Sequence, residues 1–261
     1  MSGKHRRVRL LTICLAMLAL HACSTERIAM DPGTLKELTP QSRIIIVHYY
    51  PEPFSIWRGE QTARGVGLGL FGALGGAIEG GMQAADAKEA GAKFISQSQL
   101  TDPVARVQSR FLDAWQRETG VRQLTDSQLV NDDDVEVLQK KYGTGHVLDF
   151  RTLGWMIQPI NHTNISSDRT YRAVYSARSR LVRLIDKTVV WQGSCEYGKD
   201  SVLTPTLNFL DVAGNDNGVA AKAALNTLAD HCADSLWRQF FGRDAGPDIP
   251  SPPSHEQQAN K

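Results

Sequence analysis

Four kinds of side chain in this sequence could carry chemistry: thiols, imidazoles, runs of carboxylates and clustered guanidiniums. The thiols are Cys14, Cys23, Cys195 and Cys232, too few and too widely spaced for a structural metal site. Histidines at 48, 146, 162, 231 and 255 show neither the spacing of a zinc protease nor an obvious nucleophile partner. His48 lies in an apolar run and reads as structural. Asp132, Asp133 and Asp134 offer three adjacent carboxylates, but a calcium loop needs alternating ligands and a later glutamate, so a solvated helix start is expected instead. Arg172, Arg178 and Arg180 could share one strand face and bind anionic headgroups or a cell-wall polymer; a solvated sheet face is the favoured expectation. The run Gly67-Leu-Gly-Leu-Phe-Gly72 formally matches a dinucleotide fingerprint, yet no strand leads into it. Asn161 and Asn164 each begin a glycan-acceptor triplet that reads as idle. No catalytic constellation emerges, and no metal or cofactor is expected.

The elements that would position these groups follow from periodicity. Arg43 to Tyr50 (RIIIVHYY) is a β-branched and aromatic run bounded by Pro40 and Pro51, which predicts a buried strand. Asp102 and Pro103 start a helix whose stripe is Val104, Val107, Phe111, Leu112 and Trp115, with Gly120 as its stop. A short strand is expected at 121–124. Asn131 to Asp134 should cap a helix reaching Tyr142, and His146 to Leu153 a further strand. Tyr171 to Tyr197 reads as two long antiparallel strands turning at Asp186-Lys187. A last helix from Gly218 to Phe241 presents Ala221, Leu225, Leu228, Cys232, Leu236 and Phe240 along one side. The fold class is therefore α/β (α+β): helices packed on a mixed, partly antiparallel sheet over residues 42–241, with a Gly-rich apolar insertion. The tail 242–261, rich in proline and polar residues, reads as disordered.

That insertion, within segment 65–91, is the most unusual stretch. Gly65, Gly69, Gly72, Gly76 and Gly80 step by four, three, four and four, which puts all five on one face if the segment is helical. A glycine face permits close backbone approach, but glycine costs a helix about 1 kcal/mol per residue relative to alanine. Something external must stabilise it. Packing on the body or a neighbour, contact with a membrane, and a loop all remain open.

The whole chain of 261 residues is 41% hydrophobic and 22% charged with a net charge of +1, which excludes collagen-like, wholly disordered and polytopic membrane proteins. Its first 22 residues combine Lys4, Arg6, Arg7 and Arg9 with the apolar run Leu10 to Leu20 and a small residue, Ala22, before Cys23. This is the pattern of a secretory signal, and the run is only about half the ~20 residues a bilayer span needs. Leu20-His21-Ala22-Cys23 resembles the lipobox of bacterial lipoproteins. That resemblance implies acylation of Cys23 as the mature N-terminus and an outer-membrane address on the periplasmic face, since Ser24 rather than an aspartate follows the cysteine; the polar stretch after it, with Pro32, Gly33 and Pro40 and no sustained periodicity, reads as a lipid-anchored tether over 23–41. Several acyl chains, at about 0.8 kcal/mol per buried CH₂, make such an anchor effectively permanent.

Loss of residues 1–22 takes the net charge from +1 to −3, so nucleic acid is not an expected partner. Two cysteines then remain in an oxidising compartment, and Cys195 is expected to bridge Cys232. Two free buried thiols are the alternative. The stretch Arg180-Leu-Val-Arg-Leu-Ile-Asp-Lys-Thr-Val-Val-Trp-Gln-Gly193 resembles a feature of periplasmic lipoprotein domains related to the curli-export lipoprotein and the activators of penicillin-binding proteins. The resemblance implies a non-enzymatic module that binds protein partners or associates with itself, held to the membrane by its N-terminal lipid. An envelope enzyme acting on cell-wall or lipid material, or a channel component inserting its Gly-rich segment, are the alternatives.

Overall fold

The run RIIIVHYY forms a strand buried at every position from Ile44 to Tyr49 except His48, because it is paired on both sides and covered on both faces. The computed structural model describes residues 27–57, 79–121, 124–160, 170–198, 206–212 and 217–243. Along the chain the elements are α1 (Pro32–Glu37), β1 (Ile44–Tyr49), β2 (Ser55–Ile56), α2 (Glu79–Ser98), α3 (Val104–Thr119), β3 (Gln128–Val130), α4 (Val135–Tyr142), β4 (His146–Pro159), β5 (Thr170–Arg183), β6 (Thr188–Tyr197), β7 (Leu207–Asn208), α5 (Phe209–Val212) and α6 (Val219–Phe240).

The strands form one mixed sheet in the order β3-β1-β4-β5-β6. β1 runs parallel to both β3 and β4, whereas β4, β5 and β6 are successively antiparallel. Short β2 continues the place of β1 along β4, and β7 pairs with the start of β5. The β5–β6 hairpin turns where expected: Asp186 accepts the Thr188 N–H at 3.3 Å, and Lys187 takes φ 59°, a left-handed conformation that closes the tight connection.

Helices α2, α3 and α6 cover one face. The stripes of α3 and α6 interleave with the sheet in an aromatic cluster of Phe111, Trp115, Trp191 and Phe240, with Trp191 and Phe240 ring centroids 4.9 Å apart. Gly120 ends α3 at φ 68° and Asp134 caps α4, both as their sequence signals predicted. On the opposite face Leu138 of α4 joins a smaller core with residues of β1, β3, the start of β4 and the β5–β6 turn, and no other described helix covers that face.

Cys195 on β6 is disulfide-bonded to Cys232 on α6, with their Cα atoms 5.4 Å apart. The helical stripe had placed Cys232 on the buried side, and the bridge joins sheet to helix layer there.

Two expectations need correction. Residues 27–41 are not a bare tether. Ile28 pairs with Gln192 of β6, Asp31 caps α1 through Thr34 N–H, and Leu38 is buried in the main core with Met30 and Leu35 against it. The segment carries too few apolar residues to show periodicity, yet Met30, Leu35 and Leu38 find the core. Of the strand expected at 121–124, residues 122 and 123 lie outside the described residues; Val121 is buried in the core beyond α3, Leu124 makes an isolated bridge to Ile44, and the strand that pairs with β1 is β3. The Gly-rich reading is only partly addressed: Gly65, Gly69, Gly72 and Gly76 lie outside the described residues, and Gly80 lies in the first turn of α2.

The close helix approach that glycine permits occurs instead at Gly91, where a Cβ would fall on the main-chain carbonyl of Phe54. Replacing Gly91 with alanine should therefore push α2 off the β2 edge and lower stability by about 1–3 kcal/mol, the usual range for overpacking. Urea unfolding of the variant beside the parent measures it.

Candidate functional site

The polar residues that the sequence presents at two-residue spacing in apolar strands converge on the face that α4 borders. Asp149 on β4 and Arg180 on β5 are directly opposite in register. Asp149 is 0% exposed, and such a carboxylate needs several donors. It has them: Arg180 Nε at 2.8 Å and Nη2 at 2.6 Å on Oδ2, the Arg180 N–H at 3.0 Å on Oδ1, and the Tyr49 hydroxyl at 2.9 Å. Burial alone would lower the Arg180 guanidinium, but the charge and hydrogen bonds of Asp149 outweigh it and hold Arg180 above its ordinary value. Burial, then the Asp149 charge, pushes the Tyr49 phenol far up, so it stays a donor at any physiological pH.

Two residues along, on the same face, Arg151 and Arg178 also face each other across β4 and β5. Like charges directly opposite repel unless an anion lies between them. Asp133 supplies it: Oδ2 accepts Arg151 Nη1 at 2.8 Å and Arg178 Nη2 at 2.7 Å, while the Asp133 main-chain carbonyl accepts Arg180 Nη2 at 2.8 Å. Arg151 reaches Glu52 at 3.1 Å with its other nitrogen. Burial pushes the Asp133 carboxyl up, but Arg178 and Arg151 together hold it below its ordinary range.

The acidic run is thus not merely a solvated helix start. Asp134 caps α4 and Asp133 pins the same end to the sheet. Of the three arginines singled out in the sequence, Arg178 and Arg180 join this cluster with Arg151, which the pattern could have flagged, since Asp149 and Arg151 alternate with Leu148 and Phe150 in β4. Arg172 lies on β5 with its Nε buried and without a hydrogen-bond partner. Chemically the cluster is a latch, in which guanidiniums are matched by carboxylates.

A second buried group lies on the helix side. Asp102 precedes α3, where its Oδ1 accepts the Val104 N–H at 3.0 Å and the Thr152 hydroxyl at 2.7 Å, and Thr152 contacts the Tyr175 hydroxyl at 3.1 Å. Its Oδ2 is buried without a partner. Burial raises this carboxyl to about 6 against the two hydrogen bonds.

Because the folded-state pKa lies above the unfolded one, the fold binds the proton more tightly, and stability is lost as pH rises from about 4 through about 6. Asp102→Asn keeps both acceptor bonds and removes the charge. Its stability advantage over the parent should grow from near zero at about pH 4 to about 3 kcal/mol at about pH 7. Taking the difference removes the opposite slopes of His48 and His146, both lowered chiefly by burial. Paired denaturant titrations across that range check it.

His48 Nδ1 is 2.8 Å from the Ser127 hydroxyl, which donates to Gln108, and His231 lies beside the Tyr197 ring. His162, His255, Asn161, Asn164, Cys14 and Cys23 lie outside the described residues. Among the described residues no group of three or more metal-ligating side chains comes together, and no helix is long and apolar enough to cross a membrane.

The two sheet edges differ. On β6, Ile28 exchanges both main-chain hydrogen bonds with Gln192 at 3.0 and 2.9 Å. Beside it the Gln239 carboxamide from α6 accepts from Ser194 N–H at 3.2 Å and donates to its carbonyl at 2.9 Å. Gly193 is required between them, since a Cβ there would press on Trp191 and Gln239. This edge is closed to a further strand. On β3 no described strand pairs outside β1, and Leu129 there is 43% exposed with Tyr50, 60% exposed, after the neighbouring strand.

No family model matches the chain, and no curated protein matches it. Solved structures similar at low identity include three from bacteria. The PelC dodecamer from Paraburkholderia phytofirmans is 9% identical over 82% of this chain and 95% of that one, with a TM-score of 0.33. Protein XCC0632 from Xanthomonas campestris, of family DUF330, is 14% identical over 84% and 96%, with a TM-score of 0.29. Lipoprotein GNA1162 from Neisseria meningitidis is 14% identical over 70% and 98%, with a TM-score of 0.20. TM-scores of this size do not define a shared fold.

Proposed function

We propose that the chain is an outer-membrane-anchored periplasmic lipoprotein that acts as a non-enzymatic interaction or assembly module of the cell envelope. Acylated Cys23 holds it to the membrane, and the α/β domain meets protein partners or further copies of itself. The observation that carries this reading is the Cys195–Cys232 bridge. Disulfides persist in oxidising compartments, which is where an N-terminal signal ending in Ala22-Cys23 would deliver the chain. The non-enzymatic part is supported by the way the buried ionisable groups are used: Asp149, Arg180 and Asp133 are spent on one another.

Crosslinking in intact envelopes tests the role. The reading predicts covalent adducts with envelope proteins or with a second copy. Recovery of the monomer alone, with activity lost on replacing a single histidine or acidic residue in a folded variant, would instead establish the envelope enzyme.

A further inference from the structure

We propose that the domain lies on the bilayer by its β6 side, with the β3 edge presented away from the membrane. This inference rests on the acylation of Cys23 proposed above and adds the side of the fold that faces the lipid.

Chain length limits where the lipid can sit. Ile28 is fixed to the domain by two main-chain hydrogen bonds to Gln192 in the middle of β6. The residues after it are fixed as well, through the Asp31 cap, buried Thr34 and core Leu38. Only residues 24–27 separate Ile28 from Cys23. Five residue steps at no more than ~3.6 Å each limit the distance between the two Cα atoms to ~18 Å, whatever path the chain takes. The sheet order puts β3 four strands away from β6, which is about 19 Å at the usual strand spacing. The lipid therefore cannot sit beyond the β3 edge without leaving its attachment behind.

Edge chemistry agrees with that arrangement. The β6 edge needs no partner strand, because Ile28 and Gln239 already occupy the outward main-chain groups of Gln192 and Ser194. The β3 edge keeps exposed Leu129 beside it. A bilayer surface is the occupant that the short connection imposes on the β6 side.

The test uses the native, full-length protein purified from membranes and placed in vesicles of phosphatidylethanolamine and phosphatidylglycerol. A benzophenone amino acid is placed at Thr188 or Glu196, on either side of Gln192, or at Leu129 on β3. After irradiation, phospholipid adducts are counted by mass. The proposal predicts several-fold more adduct at Thr188 or Glu196 than at Leu129, and loss of that difference when a Gly-Ser insertion longer than the sheet is wide is placed between Thr25 and Glu26. Equal labelling in protein whose Cys23 is acylated overturns the orientation and leaves the lipoprotein reading standing. Protein that lacks acyl chains on Cys23 overturns both.

Discussion

Replacing Asp149 with alanine is expected to lower the unfolding free energy by about 3–5 kcal/mol, because it strands the buried Arg180 guanidinium without its counter-ion. The magnitude follows from position: Arg180 keeps only 9% of its side chain exposed and has two nitrogens committed to Asp149. The effect should reach α4, since Arg180 also donates to the Asp133 carbonyl and Tyr49 loses its acceptor. A paired change, Asp149→Leu with Arg180→Met, should recover most of the loss, as apolar replacement of a buried pair is often neutral or better. A double-mutant cycle by urea unfolding reads both results. If Asp149→Ala costs less than a typical surface change, the cluster is not the latch described.

Removing the bridge should cost about as much. Cys195 and Cys232 are separated by 37 residues, and a loop of that size contributes about 4 kcal/mol on the chain-entropy model. Cys195→Ala with Cys232→Ala is the cleaner variant, because it leaves no free thiol in the core. The expected result is a fall in stability of about that size, reproduced by a reductant in the parent and absent on adding reductant to the variant. The two losses should add, since the bridge joins β6 to α6 and the latch joins β4, β5 and α4.

What the sequence shows of the fold is what local rules control. Gly120 and Asp134 end and begin helices for reasons contained within a few residues, and the alternation of Tyr171, Ala173, Tyr175 and Ala177 with Arg172, Val174, Ser176 and Arg178 sorts the faces of β5. The Cys195–Cys232 contact was readable because a strand end and a helical stripe each declared a buried side.

Other features depend on partners distant in the chain. Nothing near Leu38 signals burial, since the helix it caps has six residues and the core it joins is built from elements spread over the whole domain. Gly91 looks like any helical glycine until Phe54 is brought beneath it. Asp133 resembles a solvated acid until Arg151 and Arg178, 18 and 45 residues away, close on it. A local signal did exist for that last case: Asp149 and Arg151 alternate with buried Leu148 and Phe150 in β4, and charges so placed imply a counter-charge close by.

The central claim is that Cys23 becomes the acylated N-terminus of an exported domain. Mass spectrometry of the protein extracted from membranes of cells making the full chain tests it most directly. The account predicts a first peptide that starts at Cys23 and carries acyl chains, with Cys195 and Cys232 joined until a reductant is added. A chain that keeps Met1, bears an unmodified Cys23 and fractionates with cytosolic enzymes would contradict it.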